Sequence, residues 1–174
     1  KVLLINGSPH EKGCTYTALS LIAGELNAAG IETEILNVGT KPVGGCIGCG
    51  GCRSGNGCVF GGVVNEAIEK AKTADAFVFG SPVHYASAAG NMASFMDRLA
   101  YAGGKYLAYK PAAICCSARR AGTTSTLDQL VKYPQFFHMP LVNGSYWAMV
   151  HGSTPEQVLQ DAEGCAVMQE LGRN

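Results

Sequence analysis

Four cysteines lie close together in a glycine-rich stretch, CIGCGGCRSGNGC. Cys46, Cys49, Cys52 and Cys58 follow the spacing C-x₂-C-x₂-C-x₅-C. A structural zinc site normally uses two C-x₂₋₄-C pairs that a longer segment separates. Three cysteines at successive three-residue steps are instead typical of the start of a ferredoxin run, in which glycines let the loop wrap a cubane. The spacing therefore predicts a [4Fe–4S] site, and the alternatives are free thiols, a labile disulfide or the remnant of a lost cluster.

A second loop, NGSPHEKGCTYT at residues 6–17, is rich in hydroxyl groups and leads into a helix. The first N–H groups of a helix have no intrahelical acceptor, and the helix dipole favours a negative charge there. The loop contains neither the dinucleotide pattern G-x-G-x-x-G nor the triphosphate pattern G-x-x-x-x-G-K-[ST]. It predicts a site for one phosphate group, with an ordinary capped helix as the alternative. His10 and Lys12 add positive charge, and the hydroxyl candidates are Ser8, Thr15, Tyr16 and Thr17.

Two further loops suit other parts of a planar ligand. The segment SPVHYASAAGNM, residues 81–92, offers backbone N–H groups beside small residues, and Tyr85 offers an aromatic face. The segment SARRAGTTST, residues 117–126, places Arg119 and Arg120 beside a glycine. Positive charge near N1 and O2 of a flavin stabilises the anionic reduced ring. Each loop alone is an ordinary surface feature, whereas three such loops at one end of a sheet indicate one shared ligand.

Alternating apolar segments must position these loops. Continuous or alternating apolar runs predict five strands, at 1–6, 31–38, 76–83, 111–118 and within 139–150. Between them, apolar residues at helical spacing predict five helices: from Ala18 to a stop at Gly30, over 63–71, over 92–99, around Leu127–Val131 with an end before Pro134, and from Thr154 onward. In the last helix Thr154 is the predicted cap, Pro155 the first residue and Gln157 the partner that closes a capping box.

Five strands that alternate with five helices predict an α/β doubly wound parallel sheet in a single domain, residues 1–174. Ligands of such sheets bind at the carboxyl ends of the strands. The segments that follow the strands are therefore the candidate site: 7–17, 39–61, 81–87 and 117–124. The Cys/Gly-rich loop at 39–61 belongs to this end of the sheet.

The composition excludes several classes of protein. Thirteen Lys and Arg balance thirteen Asp and Glu, and no long run of one sign occurs, which argues against nucleic-acid and membrane-surface binding. No apolar stretch approaches the roughly 20 residues that span a bilayer. No signal peptide is visible, so we expect a cytoplasmic protein whose eight cysteines are thiols or metal ligands. Outside the cluster motif, the remaining cysteines are predicted to be small packing residues: Cys14, Cys115, Cys116 and Cys165.

The loop sequences INGSPHEKGCT, FGSPVHYASAAGNMASFMDRL and SARRAGTT resemble the three flavin loops of flavodoxin-like NAD(P)H-dependent FMN reductases. The cysteine loop resembles that of the iron–sulfur flavoproteins of the same superfamily. The resemblance runs from residue 1 to about 150. It implies a five-stranded sheet of order 2-1-3-4-5, noncovalently bound FMN and a homodimer or homotetramer. His10 stands where the family often has Arg or Lys, and Cys14 stands where Asn is common.

By position, the resemblance also assigns the flavin contacts. The phosphate would lie against Ser8, His10, Thr15, Tyr16 and Thr17. The isoalloxazine would lie against Pro82, Val83, His84, Tyr85 and Ala86, and its pyrimidine edge against Ser117, Arg119, Arg120 and Gly122.

Two functions follow as expectations. The first is an FMN-dependent oxidoreductase that passes electrons from NAD(P)H to a small-molecule or protein acceptor. The flavin carries this chemistry, so no catalytic side chain is assigned. The second is a non-enzymatic electron carrier in which a [4Fe–4S] cluster lies beside FMN. A nucleotide-binding regulator on the same fold would leave the arginine loop unexplained.

Overall fold

Five parallel strands form the centre of the molecule in a computed structural model that describes residues 1–174. They are β1 (Val2–Asn6), β2 (Thr33–Asn37), β3 (Ala76–His84), β5 (Ala112–Ala118) and β6 (Met149–His151). Their spatial order is β2-β1-β3-β5-β6. This is the predicted order 2-1-3-4-5, so the doubly wound, flavodoxin-like sheet is confirmed. The sequence did not predict β4 (Ser87–Ala88), a short strand that pairs antiparallel with the end of β3.

Six α-helices cover the two faces of the sheet: α1 (Cys14–Ala28), α2 (Val63–Thr73), α3 (Gly90–Gly103), α4 (Thr123–Phe136), α5 (Pro155–Val158) and α6 (Ala162–Arg173). Strand side chains alternate between the two cores. Leu3 and Phe77 pack with residues of α2 and α3, whereas Leu4 and Val78 pack with residues of α1 and α6. Burial on both faces explains why the central strands are continuous apolar runs. No helix is long and apolar enough to cross a membrane.

The predicted end of the fourth helix before Pro134 is wrong, because α4 continues to Phe136. A proline lacks an N–H, and its ring crowds the carbonyl four residues earlier, so it disfavours a helix locally. The Pro134 ring is buried near the buried Leu130, and the Pro134 carbonyl accepts a hydrogen bond from the N–H of Met139 at 3.0 Å. Packing and this turn hold the last residues in the helix.

The predicted last helix is divided in two. Thr154 does cap α5, because its hydroxyl accepts a hydrogen bond from the N–H of Gln157 at 3.3 Å. The capping box is not closed as predicted, since the Gln157 side chain accepts from the N–H of Ser153 at 2.7 Å instead. Asp161 then caps α6 by accepting from the N–H of Gly164 at 3.0 Å. This second cap ends the first helix and lets α6 lie along α1.

The fifth parallel strand is much shorter than the segment 139–150 in which it was expected. Only Met149–His151 pair with β5, and Leu141 forms an isolated bridge to Ala112. Between them, the N–H of Ser145 donates to the Glu170 carboxylate at 2.7 Å instead of to a strand.

Among the cysteines predicted to serve packing, Cys115 and Cys116 are fully buried in the sheet. Cys14 and Cys165 are half-buried, and their thiols donate to the carbonyls of Gly152 at 3.6 Å and Val158 at 3.2 Å. All four contact protein atoms, as that interpretation requires.

Candidate functional site

Asn6, the last residue of β1, holds the first loop in place through its side chain, a role that the sequence did not predict. Its side chain is fully buried. The amide nitrogen donates to Asn37 Oδ1 at 2.8 Å and to the Glu11 carbonyl at 3.1 Å, and the amide oxygen accepts from the N–H of Ser8 at 3.2 Å. One side chain thus joins the ends of β1 and β2 to both sides of the loop.

The start of α1 leaves backbone donors free. Gly13 is the residue before the helix and offers no side chain to cap it. The N–H groups of Cys14, Thr15 and Tyr16 have no acceptor, whereas that of Thr17 donates to the Gly13 carbonyl at 3.0 Å. Three free N–H groups at the positive end of a fifteen-residue helix form a site for a phosphate-sized anion.

The hydroxyl groups of the first loop mostly make hydrogen bonds within the protein. The hydroxyls of Thr15 and Ser117 lie 2.8 Å apart, and both side chains are buried. This contact joins the start of α1 to the end of β5. Ser8 accepts from the N–H of His10 at 3.1 Å, and Thr17 donates to the Gly13 carbonyl at 3.2 Å.

Tyr16 is the one phosphate candidate whose side chain the structure places apart. It lines an open polar groove with Lys12, Asn27 and Thr33, along α1 and the edge strand β2. His10 is exposed on the loop, and a Cβ at Gly13 would come within 2.9 Å of the His10 Cβ. His10 therefore lies beside the free N–H groups, whereas the Tyr16 ring faces the sheet edge.

The second loop is a β-hairpin between β3 and β4. Its tip residues Tyr85 and Ala86 both have a positive φ, 50° and 59°. A two-residue turn with this backbone favours Asn-Gly, because larger residues are strained there. Tyr85 is fully exposed at the tip. The hydroxyl of Ser81 accepts from the N–H of Ala89 at 3.0 Å and thereby fixes the base of the hairpin.

The third loop touches the second at Gly122. This glycine has φ +89°, and a Cβ there would lie 2.7 Å from the Ala86 Cα and 3.0 Å from a Val83 methyl. Arg119 and Arg120 are exposed just before it. Neither arginine takes part in any ion pair of the chain. Both guanidinium groups are free to meet a ligand's negative charge.

The four motif cysteines surround a cavity of about 310 Å³ between the loop after β2 and helix α3. All four are free thiols, and Cys46 and Cys49 are exposed. No three of them converge closely enough to coordinate a single metal ion. Four thiols around one cavity are a donor set that suits a [4Fe–4S] cluster.

Cys58 is the most firmly held of the four cysteines. The side chain of Asn65, in the first turn of α2, accepts from the Cys58 N–H at 2.8 Å and donates to the Cys58 carbonyl at 3.0 Å. The Nε of Arg98 donates to the Cys58 sulfur at 3.3 Å. Backbone and sulfur of this cysteine are therefore both fixed.

Helix α3 connects the cysteine loop to the flavin-type loops. Asn91 in its first turn donates to the carbonyls of Gly39 and Lys41, each at 3.0 Å, and accepts from the N–H of Val43 at 3.2 Å. A Cβ at Gly39 would come within 2.5 Å of the Ser8 carbonyl carbon, so the cysteine loop starts in contact with the first loop.

The structure thus brings the predicted residues of all three loops to one end of the sheet and leaves only the Tyr16 side chain to one side. The sequence did not predict the roles of Asn6, Asn65, Asn91 and Arg98. For Arg98 a sequence signal did exist, because it stands at helical spacing between Phe95 and Ala102 on the core side of α3.

A doubly wound sheet with ligand loops at the carboxyl ends of its strands defines a cofactor-binding α/β protein of the flavodoxin type. The family model for NADPH-dependent FMN reductases matches residues 1–154, and the chain belongs to that family. Its class is therefore that of the FMN-dependent oxidoreductases.

One curated relative and two solved structures are similar to this chain. An iron–sulfur flavoprotein of Methanocaldococcus jannaschii is 28% identical over 181 residues, which cover 99% of this chain and 94% of the relative. The NAD(P)H:quinone oxidoreductase from Methanothermobacter marburgensis has the same fold, with a TM-score of 0.73, 18% identity, and coverage of 99% of this chain and 95% of that one. A flavodoxin from the domain Archaea covers 99% of both chains with a TM-score of 0.61 at 13% identity.

Proposed function

We propose that the protein binds FMN and uses it to pass electrons from a reduced nicotinamide nucleotide to an acceptor. The observation that carries this proposal is the joining of three loops at one end of the sheet. Thr15 contacts Ser117 at 2.8 Å, and Gly122 closes onto Ala86. The joined loops offer free N–H groups, a hairpin with an exposed aromatic ring and two unpaired arginines, which suit the three parts of FMN.

Each loop would contact a different part of FMN. The N–H groups of Cys14 and Thr15 would receive the phosphate, with His10 beside them. The hairpin residues would lie against the ring, and the arginine loop would lie at its pyrimidine edge. We assign these contacts to Pro82, Val83, His84, Tyr85, Ala86, Ser117, Arg119, Arg120 and Gly122.

The bound flavin supplies the redox chemistry, and the chain supplies position and charge. Arg119 and Arg120 would favour the reduced, anionic ring over the oxidised, neutral ring. The Ser81 hydroxyl is bonded within the protein and fixes the base of the hairpin, and the hydrogen bond between the Thr15 and Ser117 hydroxyls joins the first loop to the third.

Anaerobic mixing with each nicotinamide donor tests the proposal. The visible absorbance of the oxidised flavin should bleach when the FMN-loaded protein is mixed with NADPH or with NADH, because electrons enter the ring. A protein that binds no FMN on titration would remove the proposal entirely. Binding of FMN without bleaching by either donor would leave the electron-carrier function as the better description.

The cysteine cavity supports a second function, electron transfer through a [4Fe–4S] cluster beside the flavin. Cys46, Cys49, Cys52 and Cys58 would be its ligands. The cavity wall carries no carboxylate, so thiolate sulfurs are the donors that it offers. The similar M. jannaschii protein is named an iron–sulfur flavoprotein.

Iron and sulfide analysis after anaerobic preparation tests this second function. We expect about four of each per chain, as in other four-cysteine [4Fe–4S] sites. Cys49→Ser should lose them, whereas the matched control Cys165→Ser, outside the motif, should keep them. A wild-type loop that stays free of iron after anaerobic reconstitution would eliminate the cluster.

The predicted cytoplasmic location and the predicted homodimer or homotetramer stay predictions.

A further inference from the structure

Arg98 is a buried cation without a carboxylate partner. Its residue is 7% exposed, in the middle of α3. None of the ion pairs in the chain includes it. Its guanidinium donates to the carbonyls of Gly44 at 3.4 Å and Gly61 at 2.9 Å, and to the sulfur of Cys58 at 3.3 Å. Neutral carbonyls satisfy the hydrogen bonds of a guanidinium but leave its charge uncompensated, which is costly away from water.

The cavity beside Arg98 has positively charged residues in its wall but no negatively charged ones. Its wall carries two cations, Arg53 and Arg98, and neither Asp nor Glu. The four cysteines are the wall groups that become anionic as ligands. Four thiolates around a [4Fe–4S] core give the whole group a net negative charge, and that charge would compensate the buried guanidinium.

The contacts of Arg98 also close the loop. Gly44 precedes the first motif cysteine, Cys58 is the last, and Gly61 follows it. One guanidinium therefore holds both ends of the cysteine loop against α3. The phenyl ring of Phe60 lies over it, with 5.7 Å between the guanidinium carbon and the ring centroid, and shields it from water.

We propose that Arg98 positions the cysteine loop and raises the reduction potential of the [4Fe–4S] cluster bound there. The inference rests on the proposed cluster function. Reduction adds one electron and makes the cluster more negative, so a positive charge and an N–H···S hydrogen bond stabilise the reduced form more than the oxidised form. Hydrogen bonds to the sulfurs and local charge are among the factors that set such potentials.

An anaerobic redox titration with dithionite, followed by electron paramagnetic resonance, tests the proposal on the holoprotein. Arg98→Gln keeps a polar side chain and removes the charge. At a fixed solution potential we expect it to lower the ratio of reduced to oxidised cluster at least tenfold, which is about 59 mV for a one-electron couple. Arg98→Lys keeps the charge but loses the planar fork, and it should restore part of the ratio.

Arg53→Gln is the matched control, because Arg53 is a second arginine on the same cavity but is exposed. Its effect should be smaller and should vanish at high salt, whereas the effect at Arg98 should persist, since buried charges are screened less. FMN content and far-UV circular dichroism report whether each variant folds. If Arg98→Gln does not fold, Arg98→Met, which keeps the length of the side chain without its charge, takes its place, and a potential equal to wild type overturns the proposal.

Two failures can be told apart. A wild-type protein that binds no iron or sulfide removes the cluster function, and this inference with it. A wild-type cluster whose potential equals that of Arg98→Gln overturns the inference alone, and so would equal shifts in Arg98→Gln and Arg53→Gln.

Discussion

Gly122 is a residue at which a side chain would disrupt the contact between the second and third site loops. Its φ of +89° costs any other L-residue roughly 1–2 kcal/mol, and a Cβ would meet the backbone of Ala86 at 2.7 Å. We expect Gly122→Ala to lower the free energy of unfolding by at least about 2 kcal/mol and to weaken FMN binding. Gly30→Ala is the control, because Gly30 has φ +80° but nothing within 4 Å of its would-be Cβ. Equal losses in urea titrations of the two variants would contradict the packing argument.

The unpaired arginines lead to a redox prediction at the same scale. Replacing Arg119 and Arg120 together with Ala should weaken FMN binding and lower the flavin midpoint potential, because the reduced ring loses its counter-charge. Both side chains are exposed, so we expect about 1 kcal/mol for each charge, at the lower end of charge-assisted interactions. Arg173→Ala removes a surface arginine that pairs with Glu25 at 3.2 Å and should leave the potential unchanged. An unaltered flavin titration in the double variant would show that these side chains point away from the ring.

The buried thiols predict which cysteines react. Burial raises the pKa of Cys116 from 9.0 to about 12, and burial also raises the pKa of Cys115. Both stay protonated in the folded state, and the thiolate is the nucleophile. Iodoacetamide at neutral pH should therefore label the exposed Cys46 and Cys49 of the apoprotein within minutes, and Cys115 and Cys116 only after unfolding. Peptide mass spectrometry measures this, and early labelling at Cys116 would contradict it.

The same pKa shift gives the direction of a pH effect. In the unfolded chain the Cys116 thiol ionises near 9.0, whereas in the folded state it ionises only near 12. The unfolded state then binds fewer protons between these values, so this residue lowers the free energy of unfolding as the pH rises above about 9.

The Asn6 side chain connects three parts of the fold, because its hydrogen bonds join β1 to β2 and to the loop before α1. Asn6→Ala would leave the buried N–H of Ser8 and the Asn37 amide oxygen without their partner. We expect a loss of about 2–3 kcal/mol in unfolding free energy, the cost of unsatisfied buried groups. FMN affinity should fall as well, since the loop before the free N–H groups loses its anchor.

Asn27→Ala is the control for Asn6. Asn27 is exposed and makes one side-chain hydrogen bond, to Thr33 at 3.0 Å, so its loss should cost no more than about 0.5 kcal/mol. Equal stability of the two variants would show that the Asn6 contacts do not matter in solution.

Elements with one strong local signal could be predicted from the sequence. The continuous apolar runs of β1, β3 and β5 follow from burial on both faces. The order of the strands followed instead from the resemblance of the loops to the flavodoxin-like reductases. The break between α5 and α6 could not be predicted from local spacing, which alone would extend a single helix from Thr154. The break depends on the packing of α6 along α1, which only the folded chain shows. The three-residue β6 likewise depends on Glu170 drawing the chain at Ser145 away from the sheet.

At the site, residue types in loops were predictable and their connections were not. Hydroxyls, arginines and cysteines stand out by type, but Thr15 and Ser117 are 102 residues apart in sequence, and only the folded sheet shows that they bind each other. Arg98 was hidden for the opposite reason. It occupies a core-facing helical position, where periodicity leads one to expect an apolar residue.

For the molecule as a whole, one ligand that touches three distant loops should stabilise the entire fold. At a concentration one hundred times its dissociation constant, FMN should add about 2.7 kcal/mol. In a chain of this length that raises the melting temperature by roughly 5–10 °C. Riboflavin lacks the phosphate and cannot use the free N–H groups at the start of α1, so it should stabilise less. Equal shifts for FMN and riboflavin in thermal scans would argue against the phosphate site.

The hairpin tip has a bearing on the history of the chain. Tyr85 and Ala86 both hold a backbone that glycine or asparagine would adopt with less strain, and the Tyr85 side chain is fully exposed. An Asn-Gly pair would remove this strain, so a chain under selection for stability alone would favour that pair at the tip. A strained, exposed tyrosine at a loop tip is the arrangement that contact with a ligand or a second molecule favours.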